Sequence, residues 1–126
     1  PGALLHVGDM HARQGDGEIC GGGGIETGGL ARLRVELFDR PEGMTWPRII
    51  NNDYIMTTGQ ARPADDAFRI ALSEMILWLE NSYGFARKEA FMFLAQVLEA
   101  RVTQFVNPTF SYVAKVKKEY LEWTER

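Results

Sequence analysis

The sequence predicts an α+β fold: an antiparallel or mixed β-sheet region, an α-helical hairpin, then a return strand. Three observations carry this. Most of the 13 glycines precede residue 60, in a region where apolar residues alternate with period 2. From residue 64 the period becomes that of one helical face, over two long stretches. After Pro108 a short apolar run returns. The 126 residues suit one domain with a core and are too few for two. Residues 1–60 therefore read as strand- and loop-rich, 64–107 as two helices, and 108–126 as a return strand and tail.

Residues 3–7 form a short candidate strand in which His6 packs. Residues 30–37 give the clearest strand pattern, because Leu33, Val35 and Leu37 alternate with Arg32, Arg34 and Glu36. That alternation predicts one buried and one wet face. Pro41, Gly43 and Pro47 punctuate the loop leading to a third strand at 54–58. Asp65 or Asp66 can cap the first helix, which gathers Phe68, Ala71, Leu72, Met75, Ile76 and Leu79 on one face. Gly84 can end it in the left-handed conformation. The second helix is predicted over 87–105, with Ala90, Phe91, Leu94, Val97, Leu98, Val102 and Phe105 facing inward. It must stop before Pro108, where Asn107 can cap it. Residues 110–116 return as a strand, followed by a short helical tail. Trp46, Trp78 and Trp123 read as core or rim aromatics.

With 45% hydrophobic and 25% charged residues, the composition is that of an ordinary soluble protein. A net charge of −3 argues against nucleic-acid or anionic-membrane partners, which need clustered cations. Lys115, Lys117 and Lys118 read as a solvated face. No apolar stretch approaches the roughly 20 residues that span a bilayer. The single cysteine, Cys20, excludes an internal disulfide and points to a reducing, cytoplasmic compartment. As a lone thiol it reads as a small buried hydrophobe rather than a nucleophile. No nucleophile elbow surrounds Ser73, Ser82 or Ser111, which argues against a serine triad.

Chemistry concentrates in residues 8–18, Gly-Asp-Met-His-Ala-Arg-Gln-Gly-Asp-Gly-Glu. In a strand, Asp9 and His11 share a face. Asp16 and Glu18 repeat that spacing after a bend that Gly15 and Gly17 permit. If the chain doubles back, the two pairs converge with Gln14 at the apex. One imidazole with two or three carboxylates suits zinc or another divalent transition ion, whereas oxygen ligands alone suit calcium. Arg13 breaks the EF-hand pattern. The alternative is a polar hairpin whose Asp side chains bond their own backbone. The run Gly21-Gly-Gly-Gly24 fits neither phosphate-loop pattern and reads as a flexible turn.

The stretch from Gly8 to Gly21, with Ile25-Glu26 after it, resembles the signature of the acetamidase/formamidase family. The similarity continues through Trp46-Pro-Arg48, Tyr54-Ile-Met-Thr-Thr-Gly59 and the 67–75 helix. It ends in Arg101-Val-Thr-Gln-Phe-Val-Asn-Pro108, and the ordered blocks cover most of residues 1–117. The resemblance implies metal-assisted hydrolysis of a short aliphatic amide, formamide or acetamide, to ammonia and carboxylate. Zinc is the expected ion, with calcium as the alternative. It implies Asp9, His11 and Asp16 as metal ligands, Glu18 and Asp16 as catalytic carboxyls, and Gln14 and Gln104 as substrate-binding groups. The ion would polarise the carbonyl and acidify water, while a tuned carboxyl passes a proton to the departing amine. Arg101, Thr103, Gln104 and Asn107 either reach this site from the end of the second helix or serve structure, with Arg101 pairing a carboxylate. Ala86 stands where a Ser or Thr often caps that helix. Family members are longer, so the chain is expected to correspond to their C-terminal portion, partnered by an N-terminal amidase portion or by further copies of itself. The alternative is a non-catalytic, truncated or split half that serves as a metal-binding or assembly module.

Overall fold

A computed structural model describes residues 4–122. Two short strands, β1 (His11–Arg13) and β2 (Ile25–Glu26), pair antiparallel as a separate ladder. The main body follows: β3 (Arg48–Ile50), β4 (Tyr54–Ala61), α1 (Ala64–Tyr83), α2 (Arg87–Val97), β5 (Glu99–Gln104) and β6 (Phe110–Lys117). The four strands form an antiparallel sheet in the order β3-β4-β6-β5, and a 3₁₀ turn at Lys118–Tyr120 closes the described chain. Helices and antiparallel sheet together make the α+β arrangement that the sequence predicts. Among the described residues, no helix is long and apolar enough to cross a membrane.

The two central strands hold α1 through small residues. Ile55, Thr57 and Gly59 alternate toward the helix on β4, and Ala114 and Val116 do so on β6. The register sets Ile55 beside Val116 and Thr57 beside Ala114. From α1, Ala67, Ala71, Met75, Trp78 and Leu79 recur at helical spacing on the buried face. Thr57 Oγ1 donates to the Ala71 carbonyl at 2.7 Å, a buried bond that stitches strand to helix. Phe85, Ala90, Leu94 and Leu121 complete the core.

Gly59 allows the closest approach. A Cβ there would meet the Ala67 carbonyl oxygen and stand 2.8 Å from the Ala71 nitrogen, both fixed helix backbone. Gly59→Ala should therefore push α1 off the sheet and cost about 1–3 kcal/mol, the usual range for overpacking. Urea unfolding checks it: an unchanged midpoint would contradict the close contact.

Several expectations are corrected. The second helix ends at Val97, not at 105, because Leu98 turns to an extended conformation (φ −66°, ψ 128°) and the chain enters β5. Val102 and Phe105 consequently lie on or beside a strand, and Phe91 is exposed rather than inward. Asn107 has no helix to cap and lies in an exposed bend. Asp65 and Asp66 occupy the first turn of α1 beyond Pro63, where their charges face the positive helix end. Ala86 is compensated by Glu89, whose carboxylate accepts the Ala86 N–H at 3.0 Å. Residues 30–37 form no strand, and neither do the described residues 4–7, where His6 is exposed. A one-sided strand needs an edge to pair with and a surface to cover, and among the described residues the 30–37 segment pairs with no strand and stays exposed. Gly84 does end α1 in the left-handed conformation (φ 73°). Trp78 is core and Trp46 half-buried, while Trp123 lies outside the described residues.

Candidate functional site

The β1–β2 ladder sets His11 directly across from Glu26, so the two side chains meet. His11 Nε2 lies 3.0 Å from Glu26 Oε1 and 3.8 Å from Asp9 Oδ1. One donor atom from each of Asp9, His11 and Glu26 falls within 4.8 Å of the others, which is compact enough for one cation. The imidazole is largely buried, while both carboxylates are exposed and open to solvent. One imidazole nitrogen and two carboxylate oxygens fit zinc or a similar divalent ion with room for water or substrate.

Backbone geometry singles out one residue of this cluster and one of the neighbouring 15–18 turn. Asp9 (φ 57°) and Glu18 (φ 36°) are the non-glycine residues at positive φ among those described. Such conformations cost free energy and gather at functional sites. Gly24 is required for a different reason. A Cβ on it would strike the Gln14 side-chain oxygen and the His11 ring, so the glycine run lets both side chains lie directly against the backbone.

The second signature pair goes elsewhere. Residues 15–18 form a turn closed by Glu18 N–H donating to the Gly15 carbonyl (3.2 Å), with Gly17 left-handed at φ 87°. This turn docks on the end of β5, where Phe105 N–H donates to the Gly17 carbonyl at 2.9 Å. Arg101 Nη1 donates to Asp16 at 3.2 Å, and Gln104 Nε2 donates to Glu18 Oε2 at 3.0 Å. Ser111 Oγ in turn donates to Gln104 Oε1 at 3.2 Å.

The structure thus brings Asp9 and His11 together and keeps Gln14 beside them. It holds Asp16 on Arg101 and Glu18 on Gln104. Glu26 is the member of the compact cluster that sequence reasoning passed over. Fifteen residues separate it from His11, and only strand pairing joins them; its place in the Ile25-Glu26 block of the family resemblance was the available signal. Cys20, expected to be buried, is exposed and free.

These features define a small α+β unit whose polar turn is stitched to a sheet edge beside a histidine–carboxylate cluster. Residues 1–117 match the model of the Acetamidase/Formamidase family, and the chain belongs to that family. Among solved structures it is similar to an acetamidase from Yersinia enterocolitica, at 40% identity and a TM-score of 0.60 over 62% of this chain and 24% of that one. An acetamidase from Bacillus halodurans is 26% identical, with a TM-score of 0.59 over 64% of this chain and 27% of that one. A predicted acetamidase/formamidase from Thermoanaerobacter tengcongensis shares the fold at 17% identity, with a TM-score of 0.59 over 67% and 29% of the two chains. No curated protein sequence matches the chain. The chain spans about a quarter of the length of the solved acetamidases.

Proposed function

We propose that this chain contributes the polar half of a site that hydrolyses short aliphatic amides, formamide or acetamide, to ammonia and the carboxylate. The observation that carries the reading is the Asp9–His11–Glu26 cluster inside a family of acetamidases and formamidases. Those three residues would hold a divalent ion, zinc by the mixed nitrogen and oxygen donors. Such an ion supplies carbonyl polarisation and a nucleophile from water near neutral pH. Glu18 is the better placed of the two remaining carboxyls to carry a proton to the departing amine. It is half-buried beside a neutral amide, whereas Asp16 is exposed and engaged by a guanidinium. Gln14 and Gln104 would orient the substrate amide from the two sides. A cytoplasmic location belongs to the same reading, as does a partner that supplies the rest of the fold.

Ammonia release from formamide and acetamide tests this, with the zinc-loaded chain assayed alone and together with the portion of the Yersinia enterocolitica acetamidase that it does not match. Turnover is expected, and Glu18→Gln should lower kcat by about 10²–10⁴-fold with metal content unchanged, the range for a lost general acid. Full activity in Glu18→Gln would remove that residue from the chemistry. Absence of turnover in both samples would favour the non-catalytic, metal-binding half.

A further inference from the structure

We infer that residues 30–38 are a docking strand, which pairs with a β-edge in the portion of the acetamidase fold that this chain does not span. Leu33, Val35 and Leu37 occupy alternate positions and are 55%, 73% and 91% exposed. Between them stand Arg32, Arg34 and Glu36, and Arg34 forms an ion pair with Glu36 along the polar row. This is the pattern of a strand with one face meant for burial, in a segment that makes no strand here. The apolar surplus is local. Of the sixteen large hydrophobic residues exposed among those described, ten lie in residues 4–38. Patches of that kind mark interaction surfaces.

The occupant follows from the relatives and from pairing physics. The solved acetamidases carry about three quarters of their length outside what this chain matches, so the occupant is sought there. A second copy of this chain is the poorer fit. Two such segments paired antiparallel would make an isolated two-stranded ribbon with no layer to cover Leu33, Val35 and Leu37, which is marginal in water. The segment also leaves the β1–β2 ladder directly: Thr27 N–H donates to the Met10 carbonyl at 3.0 Å, and the run begins three residues later. Docking there would wall in Asp9 and Glu26, whose carboxylates now face solvent.

The inference rests on family membership and not on the proposed hydrolysis, so its test uses neither substrate nor metal. The chain is co-expressed with the tagged portion of the Yersinia enterocolitica acetamidase that it does not match, and amide exchange is followed by mass spectrometry. Expected are a 1:1 complex and exchange in residues 31–38 slowed by about tenfold or more. Val35→Asp should weaken the complex about tenfold or more, while Arg34→Gln on the wet row should leave it within about twofold. Val35 is exposed in the chain alone, so exchange in α1 should be unchanged by Val35→Asp. Failure to form the complex would overturn the inference. So would a complex that leaves residues 31–38 unprotected, or a homodimer of this chain that protects them without the added portion.

Discussion

Glu74→Ala is expected to lower the unfolding free energy by about 3–5 kcal/mol, the cost of removing one member of a buried ion pair. Glu74 lies on the apolar face of α1 and is 0% exposed. Its Oε2 accepts the Thr45 hydroxyl at 2.6 Å and the Thr45 and Trp46 N–H groups at 2.9 and 3.1 Å. Its Oε1 accepts Arg48 Nε at 2.7 Å. The Arg48 guanidinium is itself buried and lies 5.0 Å from the centre of the Trp78 ring. One carboxylate therefore anchors the 45–48 loop, and with it the start of β3, onto the helix. Its removal would strand a buried cation and leave two part-buried backbone donors without their acceptor.

The same network sets an acid limit. Burial alone would push the Glu74 carboxyl up, but the Thr45 hydroxyl and N–H, the Arg48 hydrogen bond and the Arg48 charge outweigh it. The carboxyl is held below its ordinary 4.5. A carboxyl with a lowered folded-state pKa stabilises fully above its unfolded value and loses that contribution as pH falls through the folded value. Wild-type stability should thus decline below about pH 4.5, and Glu74→Gln should flatten that part of the profile. Urea titrations from pH 7 to 3 check both points. A loss under about 1 kcal/mol in Glu74→Ala at pH 7, the value of an exposed pair, would contradict the anchoring role.

The second large effect falls on cation affinity. His11→Ala removes the one imidazole of the cluster, and zinc affinity should drop by more than about 100-fold, beyond the loss usual for an outer-shell partner. Glu26→Gln should weaken binding by a similar order, because the neutral amide keeps the shape and loses the charge. Gly24→Val should do the same without touching a ligand, since its side chain would displace the His11 ring and Gln14. Asp16→Asn should leave affinity nearly unchanged, because Asp16 is held by Arg101 at the β5 end. Titration calorimetry with zinc separates these variants. Loss of binding in Asp16→Asn with retention in Glu26→Gln would move the site to the 15–18 turn.

The parts of the fold legible in the sequence are β4, β6 and α1, whose local patterns agree with their final conformation. The helical period of α1 was visible, 54–58 and 110–116 stood out as short candidate strands, and Gly84 marked the helix end by its conformational freedom. β5 was hidden because Leu94, Leu98, Val102 and Phe105 continue the helical spacing through it, without a glycine or proline to break it. Pairing with β6, a tertiary effect, decides its conformation. Residues 30–37 show the opposite case, a local pattern that the described chain does not satisfy. In the cluster, the nearness of Asp9 and His11 was readable from their separation of two residues, although Asp9 precedes β1 in a left-handed conformation rather than sharing its face. Glu26 was not, because its position depends on register across the ladder. Nor was the destination of Asp16 and Glu18 readable, because Arg101 and Gln104 reach them from a strand more than 80 residues away.

The most direct test of the Asp9–His11–Glu26 assignment is the zinc K-edge absorption spectrum of the purified chain loaded with one equivalent of metal. Nitrogen and oxygen neighbours at about 2.0–2.2 Å are expected, with the signature of a single imidazole and no sulfur. A sulfur shell at about 2.3 Å would place the ion on Cys20, and two imidazoles would bring in His6; either result would contradict the assignment.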